Sequence, residues 1–224
     1  MQIWKYFALA FSALLPMVNP LGSAIIFMGL VGSAPVSVYR SLARRIAINT
    51  VLFFAVVDLV GSAVLNFFGI SLPIVQLSGG FVIAAIAWTM LNQQDPASST
   101  EKRQAAEQAQ ARDVEGTLLQ KTFYPFTFPI TAGPGCIVVM LTLSARIPRK
   151  AIPSTFAHIG LLLAVLLLSS TVYFCYAYAP RLVRVISPST AQGILRVFSF
   201  ILLCIGVQIA WNGLVPLLTS VLHR

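Results

Sequence analysis

Asn19-Pro20-Leu21-Gly22 and Ala132-Gly133-Pro134-Gly135 each fall inside a long uncharged apolar stretch, one in each half of the 224-residue chain. Pro20 and Pro134 have no backbone N–H and clash with the preceding helical turn, while Gly22, Gly133 and Gly135 accept backbone angles closed to other residues. A helix broken in lipid frees N–H and C=O groups that must find partners in protein or in a water-filled cavity. Carbonyls around Pro16 and Asn19 become available, Asn19 adds an amide, and Thr131 with Gly133 and Gly135 offers a matching surface. Half-helix N-termini suit a carboxylate, and exposed carbonyls suit an ammonium group or a cation. A zwitterionic small molecule presents both charges. Either motif alone reads as a packing kink, because Pro and Gly are common in membrane helices. Two motifs in corresponding places favour a substrate or ion pathway.

Asp58 is the only acidic residue within an expected span, which makes it a candidate proton carrier, an ion-pair partner of Arg196, or a helix–helix hydrogen-bond partner. Arg196 either meets an anionic group in a cavity or snorkels to the surface from the start of the last helix. Gln208 and Asn212 are candidate substrate ligands, whereas Asn49 and Gln76 read as helix–helix contacts. Trp88 and Trp211 read as interfacial aromatics, and His158 as a lone interfacial histidine.

The elements that must position these groups are membrane helices. Apolar residues make up 58% of the chain and Asp, Glu, Lys and Arg only 9%, far below the roughly one quarter of a soluble domain. No charge interrupts Tyr6 to Tyr39, Leu59 to Gln94, Thr122 to Ala145, Ala151 to Pro180 or Val197 to Leu222, and each run is long enough to span a bilayer. The runs are continuous rather than alternating, which argues against a β-barrel. The expected helices are Tyr6 to Val31, Ile46 to Asn66, Leu72 to Gln94, Phe123 to Ser144, Pro153 to Ala179, and Ala191 to Pro216. The first is read as a retained helix rather than a cleaved leader.

The fold class is therefore all-α, with residues 1–94 as a first three-helix unit, 95–121 as a hydrophilic loop, and 122–224 as a second three-helix unit. Pro16 and Pro20 precede Ile25-Ile26-Phe27-Met28 much as Pro129 and Pro134 precede Ile137-Val138-Val139-Met140. Three spans per unit is an odd number, so the second copy is inverted.

Arg40, Arg44, Arg45, Lys102, Arg103, Arg112, Lys121, Arg181 and Arg184 fall on one side, against Lys5, Arg146, Arg149, Lys150 and Arg224 on the other. The positive-inside rule makes the first side cytoplasmic and places both termini outside. In that light the net charge of +9 is a topology signal, not a nucleic-acid site. Cys136, Cys175 and Cys204 form no CxxC pair, so neither a disulfide framework nor a metal site is expected. No phosphate loop, HExxH or GxSxG motif is present, so neither an enzyme nor a bound cofactor is expected.

Leu15-Pro16-Met17-Val18-Asn19-Pro20-Leu21-Gly22, Phe68-Gly69-Ile70-Ser71-Leu72-Pro73, Ser78-Gly79-Gly80, Pro129-Ile130-Thr131-Ala132-Gly133-Pro134-Gly135 and Gly206-Val207-Gln208 through Gly213 resemble the MarC family. The resemblance covers nearly the whole chain in motif order. It implies six spanning helices in a bacterial inner membrane, a cytoplasmic central loop, and movement of small neutral amino acids or related metabolites. Gln76 stands where the family's arginine precedes the third-helix glycine pair, while Arg196 is retained.

The combined expectation is a secondary transporter or exporter of small polar metabolites, neutral amino acids foremost. Its substrate sits between the breaks near the bilayer midplane, and a proton or sodium gradient supplies the energy. The lipid bilayer is the obligatory partner, and a homo-oligomer stays open. The alternative is a non-transporting membrane scaffold or stress-response accessory whose breaks serve packing.

Overall fold

The computed structural model describes residues 2–32, 34–92, 121–145, 147, 151–185 and 188–222. Among them there is no strand, and the helical segments are α1 (Gln2–Val18), α2 (Pro20–Val31), α3 (Val36–Phe67), α4 (Leu72–Leu91), α5 (Thr122–Thr131), α6 (Pro134–Ala145), α7 (Ala151–Ala177), α8 (Ala179–Val185) and α9 (Pro188–Leu222). α1 and α2 run on as one 30-residue apolar span, whereas α5 and α6 meet at a 69° bend. Five helices are long and apolar enough to cross a membrane, or six if the bent pair is one span. Apart from Lys121, the expected hydrophilic loop lies outside the described residues.

Two boundaries differ from those read in the sequence. α3 begins at Val36 rather than Ile46, because a helix does not stop where its apolar stretch stops. Arg40, Arg44 and Arg45 ride exposed on its early turns. α9 likewise extends from Pro188 to Leu222, with Pro216 inside it.

Lipid tails are as apolar as leucine, so burying hydrocarbon between helices gains little, and close packing holds the bundle together. α4 and α9 form the most extensive pair. A Cβ at Gly80 would strike the backbone of Gly206 and Ala210, and one at Gly206 would sit 2.7 Å from the Ala84 nitrogen. The two main chains therefore touch, which only glycine permits. α7 is the central post, packed on α1, α2 and α3. Ala157, Leu161, Ala164, Val165, Leu168, Val172 and Tyr176 recur at three- and four-residue spacing and make its buried face. Leu163, Leu166, Leu167 and Phe174 point outward, as a lipid-facing surface requires.

Candidate functional site

The first break is a single residue deep. Asn19 adopts the left-handed conformation (φ 43°, ψ 66°), and its side-chain oxygen accepts from the Gly22 N–H at 3.2 Å as the N-cap of α2. Backbone pairing continues across it, from the Asn19 N–H to the Leu15 carbonyl at 3.0 Å and from the Ser23 N–H to the Asn19 carbonyl at 2.9 Å. The Ser23 hydroxyl donates to that same carbonyl at 2.9 Å. Pro20 offers no N–H to the Pro16 carbonyl. Gly22 is required because a Cβ there would strike the Asn19 amide and Leu195.

The second break is spread over a dozen residues. Pro125 and Pro129 force the residues before them, Tyr124 and Phe128, into extended backbone (φ −118° and −119°). α5 is consequently wound with wide five-residue pairings, such as the Ala132 N–H to the Thr127 carbonyl at 2.8 Å. Threonine hydroxyls take up displaced carbonyls: Thr127 Oγ1 donates to Thr122 and Thr131 Oγ1 to Phe126, both at 2.7 Å. Gly133 accepts from the Cys136 N–H at 3.0 Å, and α6 restarts at Pro134. Met17 of α1 and Ile83 of α4 fill the space where Gly135 has no side chain.

The two breaks meet at α7. Tyr176 Oη lies 2.8 Å from Thr131 Oγ1. Ser23, Thr131 and Tyr176 are all buried. Phe27 of α2 stacks on Tyr176 with ring centroids 4.5 Å apart and meets Phe126 and Tyr39 edge-on at 5.3 and 5.7 Å. The Tyr39 hydroxyl donates to the Gly32 carbonyl at 2.7 Å. The Thr131 and Tyr176 hydroxyls thus meet at the junction, and an aromatic cluster closes it. Tyr176 is one residue from the end of α7. The junction therefore lies toward the face that carries Arg40 and Arg181, each 5.7 Å from the Tyr178 ring, rather than midway along α7. An open groove of about 420 Å³ reaches Pro134 and Gly135 from the Gly69–Ile70 turn, and Ser78 is its one polar side chain.

The structure joins Thr131 to Tyr176 and packs Gly135 against Met17, two residues before Asn19, while Gly22 abuts Leu195 of α9. Gln208 and Asn212 stand apart: they are hydrogen-bonded to each other at 3.1 Å, and Gln208 is exposed. Arg196 is also exposed, so the partner of Asp58 is not Arg196 but His158, whose Nδ1 lies 2.7 Å from Asp58 Oδ2. Gln76 is buried and reaches Thr142 of α6 at 3.5 Å. Trp88 and Trp211 are exposed on the bundle's outer surface. Sequence reasoning missed Ser23, Thr127 and Tyr176. The available signal was a run of threonines trailing prolines, and a tyrosine in register with the small-residue face of α7.

The family described as MarC family integral membrane protein matches residues 4–218. The inner membrane protein MarC of Salmonella typhimurium is 25% identical over 221 residues, covering 98% of this chain and 99% of that protein. Its namesake from Escherichia coli O1:K1 is 28% identical over 228 residues, with the same coverage. No solved structure matches. The family match across the breaks and the helices that frame them makes this chain a member of the MarC family of integral membrane proteins.

Proposed function

We propose that the protein is a secondary transporter or exporter of small polar metabolites, with small neutral amino acids as the substrate class. The observation that carries this reading is Tyr176, whose hydroxyl pairs with Thr131 of one break while its ring stacks on Phe27 of the helix that follows the other. The α2 and α6 N-termini suit a carboxylate, and the carbonyls and hydroxyls beside them suit an ammonium group.

The helix contacts also support an inverted repeat. Exchanging the halves maps α1/α2 onto α5/α6, α3 onto α7, and α4 onto α9. That exchange keeps the α3–α7 and α4–α9 pairs and swaps α1/α2–α7 with α5/α6–α3 and α5/α6–α4 with α1/α2–α9, contacts that occur when each broken pair is taken as one unit. Rocking of the two units against each other then opens the junction to each side in turn. The face with Arg40, Arg44 and Arg45 is read as cytoplasmic, with both termini on the other side.

The tight fill around Gly22 and Gly135 favours a second reading, a non-transporting scaffold. Counterflow of labelled alanine or glycine in proteoliposomes separates the two. Transport predicts saturable exchange, lowered about tenfold or more in Tyr176→Phe, since removing one partner of a buried hydrogen bond costs about 1–3 kcal/mol. A scaffold predicts no exchange for any amino acid by a folded protein.

A further inference from the structure

Asp58 lies far from the junction, at the other end of the α3–α7 seam. Tyr39 and Asp58 are separated by about 28 Å along α3, and Tyr176 and His158 by about 27 Å along α7, at 1.5 Å per residue. The two helices run antiparallel, so the aromatic cluster and the Asp58–His158 pair mark opposite ends of one contact. The carboxylate is sunk in the bundle, with the Asp58 side chain 1% exposed, while His158 is 33% exposed. Ser144 Oγ, at the end of α6, donates to the Asp58 backbone carbonyl at 3.0 Å and holds that turn in place. Asp58 Oδ1 has no hydrogen-bond partner among the described residues.

A buried carboxylate with one oxygen unpartnered is a costly arrangement, and it becomes less so when the group carries a proton. Few charges compete for it. α6 contains none, and α7 contains none besides His158. On α3 the next is Arg45, about 20 Å away along the helix. Lys5 on α1 is exposed, Lys121 caps the far end of α5, and Arg181 is exposed beside Tyr178 on α8. Arg146, Arg149 and Lys150 of the α6–α7 connection lie outside the described residues.

The only other buried side-chain atom without a partner among the described residues is Ser169 Oγ. His158, Ser169 and Tyr176 stand eleven and seven residues apart, which at about 100° per residue puts them within about 20° of one line on α7.

We propose that Asp58 and His158 form a proton-binding site whose occupancy drives transport, an inference that rests on the transporter reading and names its coupling ion. Imidazole is the side chain suited to load and unload a proton near neutral pH. A proton taken up at the partly exposed Nε2 is matched by one passed from Nδ1 to Asp58 Oδ2. The products are a neutral imidazole and a neutral carboxylic acid, with one proton gained in all. Before uptake the carboxylate accepts from Nδ1–H, and after it the neutral acid donates to Nδ1, so the buried charge at this end of the α3–α7 seam is removed.

The experiment compares exchange with accumulation in proteoliposomes. A gradient of about one pH unit drives up to about tenfold accumulation for one proton per substrate. The proposal expects Asp58→Asn to lose gradient-driven accumulation while counterflow exchange persists. It expects His158→Gln to shift the pH profile of accumulation. Accumulation by Asp58→Asn equal to the parent's overturns it, and so does an equal loss of exchange and accumulation in a monodisperse protein. If Asp58→Asn does not fold, His158→Gln decides, and an unmoved pH profile overturns the proposal. If the parent exchanges nothing, the transporter reading fails by itself. Proton binding is then judged by the infrared carboxylic-acid band, which must titrate in the parent and shift in His158→Gln.

Discussion

The two breaks share a sequence signature and solve the same problem differently. At Asn19 one left-handed residue caps α2 with its own amide, and main-chain pairing continues on both sides. At Ala132–Gly133 the chain turns through 69°, after prolines have already opened the coil and threonines have taken over its carbonyls. The contrast teaches that proline content sets how much backbone is released, and that nearby side chains decide whether it is recaptured locally. The first break recaptures its own backbone groups. The second depends on its surroundings: Tyr176, Met17 and Ile83 all lean on it.

That difference can be broken or sharpened by matched substitutions. The largest effect is expected at the glycines. Gly22→Ala drives a methyl into the Asn19 cap and Leu195, combining cap loss of about 1 kcal/mol with overpacking of about 1–3 kcal/mol. Gly135→Ala meets the mobile end of Met17 as well as Ile83, and is expected near the lower end of the overpacking range, about 1 kcal/mol. Thermal unfolding in detergent checks the order. Equal losses would mean that the first break is no more tightly closed than the second.

A smaller effect isolates the cap itself. Asn19→Ala removes the acceptor and puts into left-handed backbone a residue without the local side-chain hydrogen bond that lets asparagine adopt it, at about 1–2 kcal/mol. Asn19→Gly keeps that backbone easily and is expected to cost only a few tenths of a kcal/mol. If glycine proves as harmful as alanine in the same unfolding assay, the amide has a partner other than the Gly22 N–H.

Much of the fold was legible in hydropathy, because spans need length and apolarity and little else. The charge-free runs predict the helices, and the Pro–Gly motifs predict both interruptions. Helix ends were less legible: α3 carries its arginines into the helix, and nothing in composition forbids that. The site was half legible. Prolines announce where carbonyls are released, but which side chain collects them depends on packing, as with Tyr176 on Thr131 and His158 on Asp58. Those partners lie 45 and 100 residues apart, and no periodicity reports which helices abut.

The central claim is that both breaks face one substrate position. Ser23→Cys and Thr131→Cys, made singly in a background lacking Cys136, Cys175 and Cys204, can be labelled with a membrane-permeant maleimide in the presence of rising alanine. Protection at both positions with the same half-protecting concentration is the predicted result. Protection at only one position, or labelling at both that alanine leaves untouched, would contradict it.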